Sequence, residues 1–563
     1  MRARRSWLRR YSLVIAAYIL VTLITVPFYM GDTVGYASAI VRKDFSDFGH
    51  FLWFPVGWLV SRILHPVTEV FVGQSAISNV VLSLVILNWL AGLLSVLMVQ
   101  AISLHLTEQE RTANLVTLAF ILSQAFLCLT QSGCSYIPGL AFLLTGIYLL
   151  IKNADEPARS WQTSIAAGAC LAVSIGFWFT YVCSIPAALA APVVLYGFTK
   201  ERIRLVIQTT AALSVAAILI FGAGAAAKGV RSAEDMKQWV GSSAHGITGL
   251  NSVPRMVFGL ARSFINMGND GVLFKAYLSR DPFNPVTRSD LVRTSLAKLA
   301  LFYLFLGAIV INLLRSDMGR RILALLALNA LPVLALALLW EGGAIERYLL
   351  LFPLVFIAFA YTLASRTSMA APKYVSLAFV AIMAVANLGA MAKPVQDKRE
   401  QAVVERIQDL QPLLKPESVV ATVTQQDEVW AFSWTFPFNP INRSGVLNTY
   451  HIIEPSTSQV LTWRESFAAQ ALSAWDKGGD VWVSRRVLST RPEREWNWVE
   501  GADKHVSWKD VNGFFSQIEV GNLVGGRDGF LMVLPSDENR AMLMKVAHDK
   551  KREDVALVIP EGV

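Results

Sequence analysis

Met30-Gly31-Asp32-Thr33-Val34-Gly35-Tyr36 follows the first long apolar run of this 563-residue chain. The stretch sets a carboxylate at the edge of hydrocarbon. A charge there is costly unless paired or solvated, which makes Asp32 a candidate functional residue. If the later apolar runs are read as spans, His50, Glu69, Glu341, Glu346 and Arg347 return to the same side as Asp32.

Composition supports reading those runs as spans. The chain is 54% hydrophobic and only 16% charged, with mean hydropathy +0.46. Soluble chains carry about 25% charged residues, so the composition is that of a polytopic α-helical membrane protein. The net charge of +9 sits largely in short clusters between apolar runs. There it sets topology and implies no nucleic-acid partner. Cys128, Cys134, Cys170 and Cys183 lie in or beside apolar segments without metal-ligand spacing, so they read as small packing residues. The basic start with Arg9 and Arg10, then the run from Tyr11 to Met30, reads as a retained signal-anchor helix, because no small-residue cleavage site follows.

Apolar windows predict eleven spans, at 11–30, 76–104, 112–131, 136–151, 163–180, 182–198, 203–226, 296–314, 320–340, 346–366 and 373–393. Two readings fix the parity. Phe51 to Leu64 is short and contains Pro55 and Gly57, so it is expected to be interfacial or re-entrant. Thr163 to Phe198 as one helix would reach roughly 54 Å against a core of about 30 Å, so it divides near Tyr181. With the N-terminus inside, Arg111, Lys152, Arg159, Lys200 to Arg204, Arg315, Arg320, Arg321, Arg366 and Lys373 fall in inner loops. That is the positive-inside pattern, and it places the C-terminus outside.

The expected domains are a transmembrane domain, 1–393, with outer loops 31–75 and 227–295, and a small extracytoplasmic α/β or α+β domain, 394–563. In the first loop an amphipathic helix is expected from Val34 to Phe48. In the second, 252–266 is amphipathic, and Lys228, Arg231, Lys237, Arg255 and Arg262 could attract an anionic head group. His245 there is ambiguous. The last domain alternates helical patterns (398–410, 458–475) with strand-like runs (418–424, 480–484, 529–534).

Each candidate residue has a structural alternative. Asp32 can be a general base or can bond the loop backbone beside Gly31 and Thr33. His50, in Gly49-His50-Phe51-Leu52-Trp53-Phe54-Pro55, can bind phosphate, relay a proton or simply be solvated. Arg347, in Glu341-Gly342-Gly343-Ala344-Ile345-Glu346-Arg347-Tyr348, can hold a phosphate bidentately or pair with Glu346 or Glu341. Glu69 is a further candidate in the first loop. Trp430, Trp434, Trp463, Trp475, Trp482, Trp496, Trp498 and Trp508 offer sugar platforms but more often fill a small core. There is no P-loop, dinucleotide glycine fingerprint, HExxH or GxSxG.

Together, Gly31-Asp32 with Tyr36 four places on, the His50–Pro55 run and Glu346-Arg347-Tyr348 resemble the GT-C superfamily of integral-membrane glycosyltransferases. The resemblance covers roughly 1–393 and rests on architecture more than letters; many members have a paired acidic motif where this chain has Gly-Asp. It implies a polyprenyl-phosphate sugar donor and a glycan, lipid or protein acceptor on the extracytoplasmic face. Asp32 would be the base, Arg347 with His50 would stabilise the departing lipid phosphate, and Tyr36, Glu69 and Glu346 would contact substrate. A divalent metal is compatible with such a site, and a bacterial inner membrane suits the charge pattern. Two alternatives remain open: an enzyme of the O-antigen ligase or polymerase type, and a non-catalytic transporter or assembly protein.

Overall fold

The computed structural model describes residues 2–26, 32–45, 47–72, 76–155, 160–241, 253–268, 273, 286–340, 342–365, 370–395, 409–415, 417–422, 448–451, 463–488, 508–525 and 529–547. The chain forms two compact units, 1–271 with 289–396, and 272–288 with 397–563.

The first unit is helical, and the described residues of all eleven apolar windows lie mainly on helix. Among the described residues eight helices are long and apolar enough to cross a membrane, and a ninth span results if Glu110–Ile121 (α5) and Gln124–Thr130 (α6) count as one. The remaining two windows fall on shorter apolar helices, Arg10–Ile24 within α1 (Arg2–Ile24) and Trp161–Phe177 within α8 (Ser160–Phe177). The protein is polytopic and α-helical.

Breaks in these helices have identifiable causes. The α5–α6 pair bends by 64° at Leu122-Ser123. A break frees backbone carbonyls that must find donors. Asn387, buried on the helix Ala370–Met391, donates to the Leu122 carbonyl at 2.7 Å and to Phe264 at 2.8 Å. The long run after Thr163 divides where expected: α8 ends at Phe177, a 3-10 turn covers Phe179–Ser184, and Ile185–Tyr196 (α9) opens with Pro186 in its first turn. Proline is pre-organised there and lacks only an N–H that would be unpaired anyway.

One expectation for the first loop needs revision. The helix beginning near Val34 is Thr33–Arg42 (α2) and stops well short of Phe48. Lys43 turns left-handed at φ 58°, and the amides of Lys43 and Asp44 close on the carbonyls of Ile40 and Ala39. The run Phe51 to Leu64, expected to be interfacial or re-entrant, lies largely in a 20-residue helix, Trp53–Val72 (α3), which is not among the membrane-length helices. Trp53, Phe54, Gly57, Ser61, Thr68 and Val72 face the protein, while Leu59, Ile63, Val67 and Val70 form an exposed apolar stripe. Pro55 sits in its first turn, where proline is tolerated.

Among the described residues the second unit holds a five-stranded mixed sheet of order β2-β1-β3-β5-β4: Val419–Thr422 (β1), Asn448–His451 (β2), Val481–Ser484 (β3), Val520–Val524 (β4) and Phe530–Val533 (β5). β1 runs parallel to β2 and β3, and β5 runs antiparallel to β3 and β4. Strand side chains alternate between faces. Val419, Ala421, Val481, Val483, Leu531 and Val533 therefore join the core made by Phe467, Ala471, Trp475, Phe515 and Leu543. Val420, Trp482 and Phe530 form a smaller cluster with Leu410. Trp475 and Trp482 are thus core residues. Trp430, Trp434, Trp496, Trp498, His245, Gly31, Glu341 and most of the helix expected at 398–410 lie outside the described residues.

Candidate active site

The site begins where α2 meets the turn 131–135. Asn88, buried on Ala76–Thr107 (α4), donates to the carbonyls of Ser132 and of Cys134, the latter at 2.8 Å. The Trp53 indole donates to the Gly133 carbonyl at 3.1 Å. The turn so held presents the Gly133 amide to Thr33 Oγ1 at 2.9 Å. Gly133 is required by this close approach, since a Cβ would lie 2.5 Å from Thr33 Cγ2 and 3.1 Å from Leu84 Cβ. These contacts fix the first residue of α2 and, with it, Asp32 just before.

Asp32 itself is exposed. It occupies the N-cap of α2, yet its carboxylate does not cap the helix. One oxygen, Oδ2, instead accepts from two phenols, Tyr36 at 3.4 Å and Tyr136 at 3.3 Å. These bonds are long for O–H···O, as catalytic bonds often are before substrate binds. Among the described residues nothing hydrogen-bonds Oδ1. Behind the carboxylate lies Cys134, whose thiol burial pushes up to about 12, which keeps it unreactive.

His50 is buried at 6% exposure between the two phenols, 5.2 Å from the Tyr36 ring and 5.8 Å from the Tyr136 ring. Its Nδ1 is 2.6 Å from Ser135 Oγ. The loop is pinned on both sides: Leu52 N donates to Gly176 O and Phe179 N donates to Gly49 O, each at 2.9 Å. Burial pushes the His50 imidazole below its usual range, against the opposing pull of Asp47 and Asp32.

Arg347 lies in the 3-10 helix Ile345–Leu351 at 7% exposure. Its guanidinium stacks 3.6 Å over the Trp340 ring and 5.5 Å from the Trp178 ring. No carboxylate among the described residues pairs with it, and its Nε has no hydrogen-bond partner among them. A buried guanidinium held by two indoles retains donors for an anion. The segment leading to it is braced by Val253–Phe264 (α12): Tyr348 donates to the Met256 and Gly342 carbonyls at 3.1 and 2.6 Å, and Arg262 donates to Gly343 O at 2.9 Å.

One aromatic pair joins the two halves. The Tyr136 ring, whose hydroxyl is on Asp32, packs edge-on against Trp178 with centroids 4.8 Å apart, and Trp178 is one of the two indoles holding Arg347. Tyr181 fixes the pair by donating to the Tyr136 carbonyl at 2.8 Å. Sequence reasoning singled out Asp32, Tyr36, His50 and Arg347, which converge here. It missed Tyr136, Ser135, Trp178 and Trp340, which read as interior or interfacial residues of apolar runs. Glu346, half-buried, precedes Arg347 and lies within electrostatic range of Tyr136. Glu69 is elsewhere on α3, where it pairs with His65 at 3.5 Å. Of the basic residues in the second outer segment, Arg262 is spent on Gly343, while Lys228 and Lys237 pair with Asp44 and Glu234 at 3.9 Å.

Metal ligation fits these residues poorly. Among the described residues no three His, Cys, Asp or Glu side chains converge. Asp32 is surrounded by phenols and a thiol, whereas hard divalent cations want several oxygen ligands, anionic ones above all.

No family model matches the chain. No curated protein matches it either. Among solved structures it is similar to ArnT from Cupriavidus metallidurans bound to undecaprenyl phosphate, at 11% identity and a TM-score of 0.48, over 94% of this chain and 98% of that one. It is also similar to the oligosaccharyltransferase of Archaeoglobus fulgidus in complex with zinc and sulfate, at 13% identity and a TM-score of 0.41, over 84% and 68%. For AglB from Archaeoglobus fulgidus with an inhibitory peptide and a dolichol-phosphate the values are 12%, 0.40, 85% and 70%. At these values no residue role passes from those proteins to this chain.

Proposed function

We propose that this chain is an integral-membrane glycosyltransferase of the GT-C type, moving a sugar from a polyprenyl-phosphate donor to an acceptor hydroxyl on the extracytoplasmic face of a bacterial inner membrane. The observation that carries this reading is an exposed carboxylate and an anion-ready guanidinium at the two ends of one aromatic pair, Tyr136–Trp178.

The chemistry follows from that placement. Asp32 Oδ1 takes the proton from the acceptor hydroxyl as its oxygen bonds to the anomeric carbon. The bond from that carbon to the phosphate oxygen breaks, and the electron pair leaves with the lipid phosphate. Displacement in one step inverts the anomeric centre. Arg347 meets the charge that develops on the phosphate, which is where a fixed cation lowers the barrier. Glu346 beside it contacts the sugar.

The test is transfer by the purified, detergent-solubilised protein and its Asp32→Asn variant, given polyprenyl-phosphate sugars and cell-envelope acceptor extracts. Transfer that collapses in the variant while donor binding persists supports the reading. Undiminished transfer in the variant would move the base to another residue, and no transfer or donor binding by either protein would discard the enzyme reading.

A further inference from the structure

The arrangement around Asp32 is lopsided. Both phenols point at Oδ2, and among the described residues Oδ1 is left without a hydrogen bond. Neither ring is free to swing. Tyr36 is buried, edge-on to Phe54 at 5.6 Å and tilted against His50 at 5.2 Å. Tyr136 is edge-on to His50 at 5.8 Å and to Trp178 at 4.8 Å. The imidazole is thus a wedge between the two phenols, and Ser135, next to Tyr136 in the chain, fixes its Nδ1.

We infer that His50, Tyr36 and Tyr136 are positioning residues for Asp32: the wedged imidazole aims both phenols at Oδ2 and so leaves Oδ1 as the atom that accepts the substrate's proton. This deepens the transfer reading and rests on it. It also gives His50 and Tyr36 a different task from substrate contact. The His50 ring is at 6% exposure, packed against the Tyr36 and Tyr136 rings, with Nδ1 tied to Ser135. A carboxylate held by one oxygen keeps the geometry of a pre-organised base, because no rotation is needed when the acceptor arrives.

The test pairs kinetics with a stability cycle. Tyr36→Phe and Tyr136→Phe each remove one hydroxyl and keep the ring; each is expected to lower kcat about tenfold, the worth of one hydrogen bond to a charged group, with donor KM unchanged. Ser135→Ala and His50→Phe should lower kcat in the same sense by releasing the wedge. Independently of activity, the Tm changes of Tyr136→Phe and Asp32→Asn should be non-additive in the double variant, since the two groups share one contact. A raised donor KM with kcat intact would make the tyrosines substrate ligands and overturn the inference, as would additive Tm changes. If the unmutated protein transfers no sugar while the cycle stays non-additive, the contact stands and the positioning role falls with the transfer reading.

Discussion

The guanidinium of Arg347 lies 3.6 Å over the ring of Trp340, buried, with no carboxylate partner among the described residues. A planar cation can stack there and still present its edge to an anion; a lysine ammonium cannot do both. Arg347→Lys is therefore expected to behave as a loss and not as a conservative change. Kinetics of sugar transfer should show kcat/KM for the lipid-linked donor falling about tenfold or more, roughly the worth of a charge-assisted bond. Equal activity of the two proteins would show that the phosphate is held elsewhere.

Gly259 of α12 packs directly on the carbonyl of Gly342, and a Cβ would also lie 2.9 Å from the Tyr348 ring. The obstacle is backbone, which cannot swing aside. Gly259→Ala should destabilise by about 1–3 kcal/mol, the range for overpacking. Gly307, on the helix Ala297–Leu313, has open space around its missing side chain, so Gly307→Ala should leave the melting temperature unchanged or raise it. Thermal unfolding in detergent of both variants separates a steric effect from the loss of a glycine as such.

Asn88 is the support behind the Gly133 turn. Replacing it by alanine strands buried carbonyls at Ser132 and Cys134, at about 1–3 kcal/mol per unsatisfied group. Asn88→Ala should lower Tm and, because Gly133 then loosens from Thr33, also reduce transfer. A stable variant with full activity would show that the turn is held without it.

Stability should depend on pH through His50. Its folded-state value is lowered, chiefly by burial, so below its usual value of about 6.5 the unfolded chain binds a proton that the folded chain does not. Stability from this residue is therefore full above that pH and is lost as the pH falls below it. Asp47 and Asp32 pull the other way and Arg347 pushes with burial, which moderates the effect without reversing it. Melting curves from pH 7.5 to 5 should show Tm falling, and the fall should be shallower in His50→Gln. The same slope in both proteins would assign the acid sensitivity to other groups.

What the sequence determined by itself is the set of elements. Eleven apolar windows became eleven helical stretches because burying backbone in hydrocarbon leaves a chain little choice but helix, and window hydropathy is a local property. Asp32, His50 and Arg347 were legible for a related reason: polar residues at the ends of apolar runs stand out against them. The tertiary structure decided which residues meet. Tyr136 reaches Asp32 across 104 residues and Ser135 reaches His50 across 85. Both belong to a turn and helix start whose composition marks nothing. Their placement comes from Asn88 holding the 131–135 turn against α2, and Trp178 gains its role only because the break after α8 turns it toward Arg347. The early stop of α2 was likewise invisible, since its apolar pattern continues to Phe48 while a left-handed Lys43 ends the helix. Hydrophobic periodicity is written residue by residue along the chain; the convergence of side chains on one carboxylate oxygen depends on how distant helices pack, which no local pattern records.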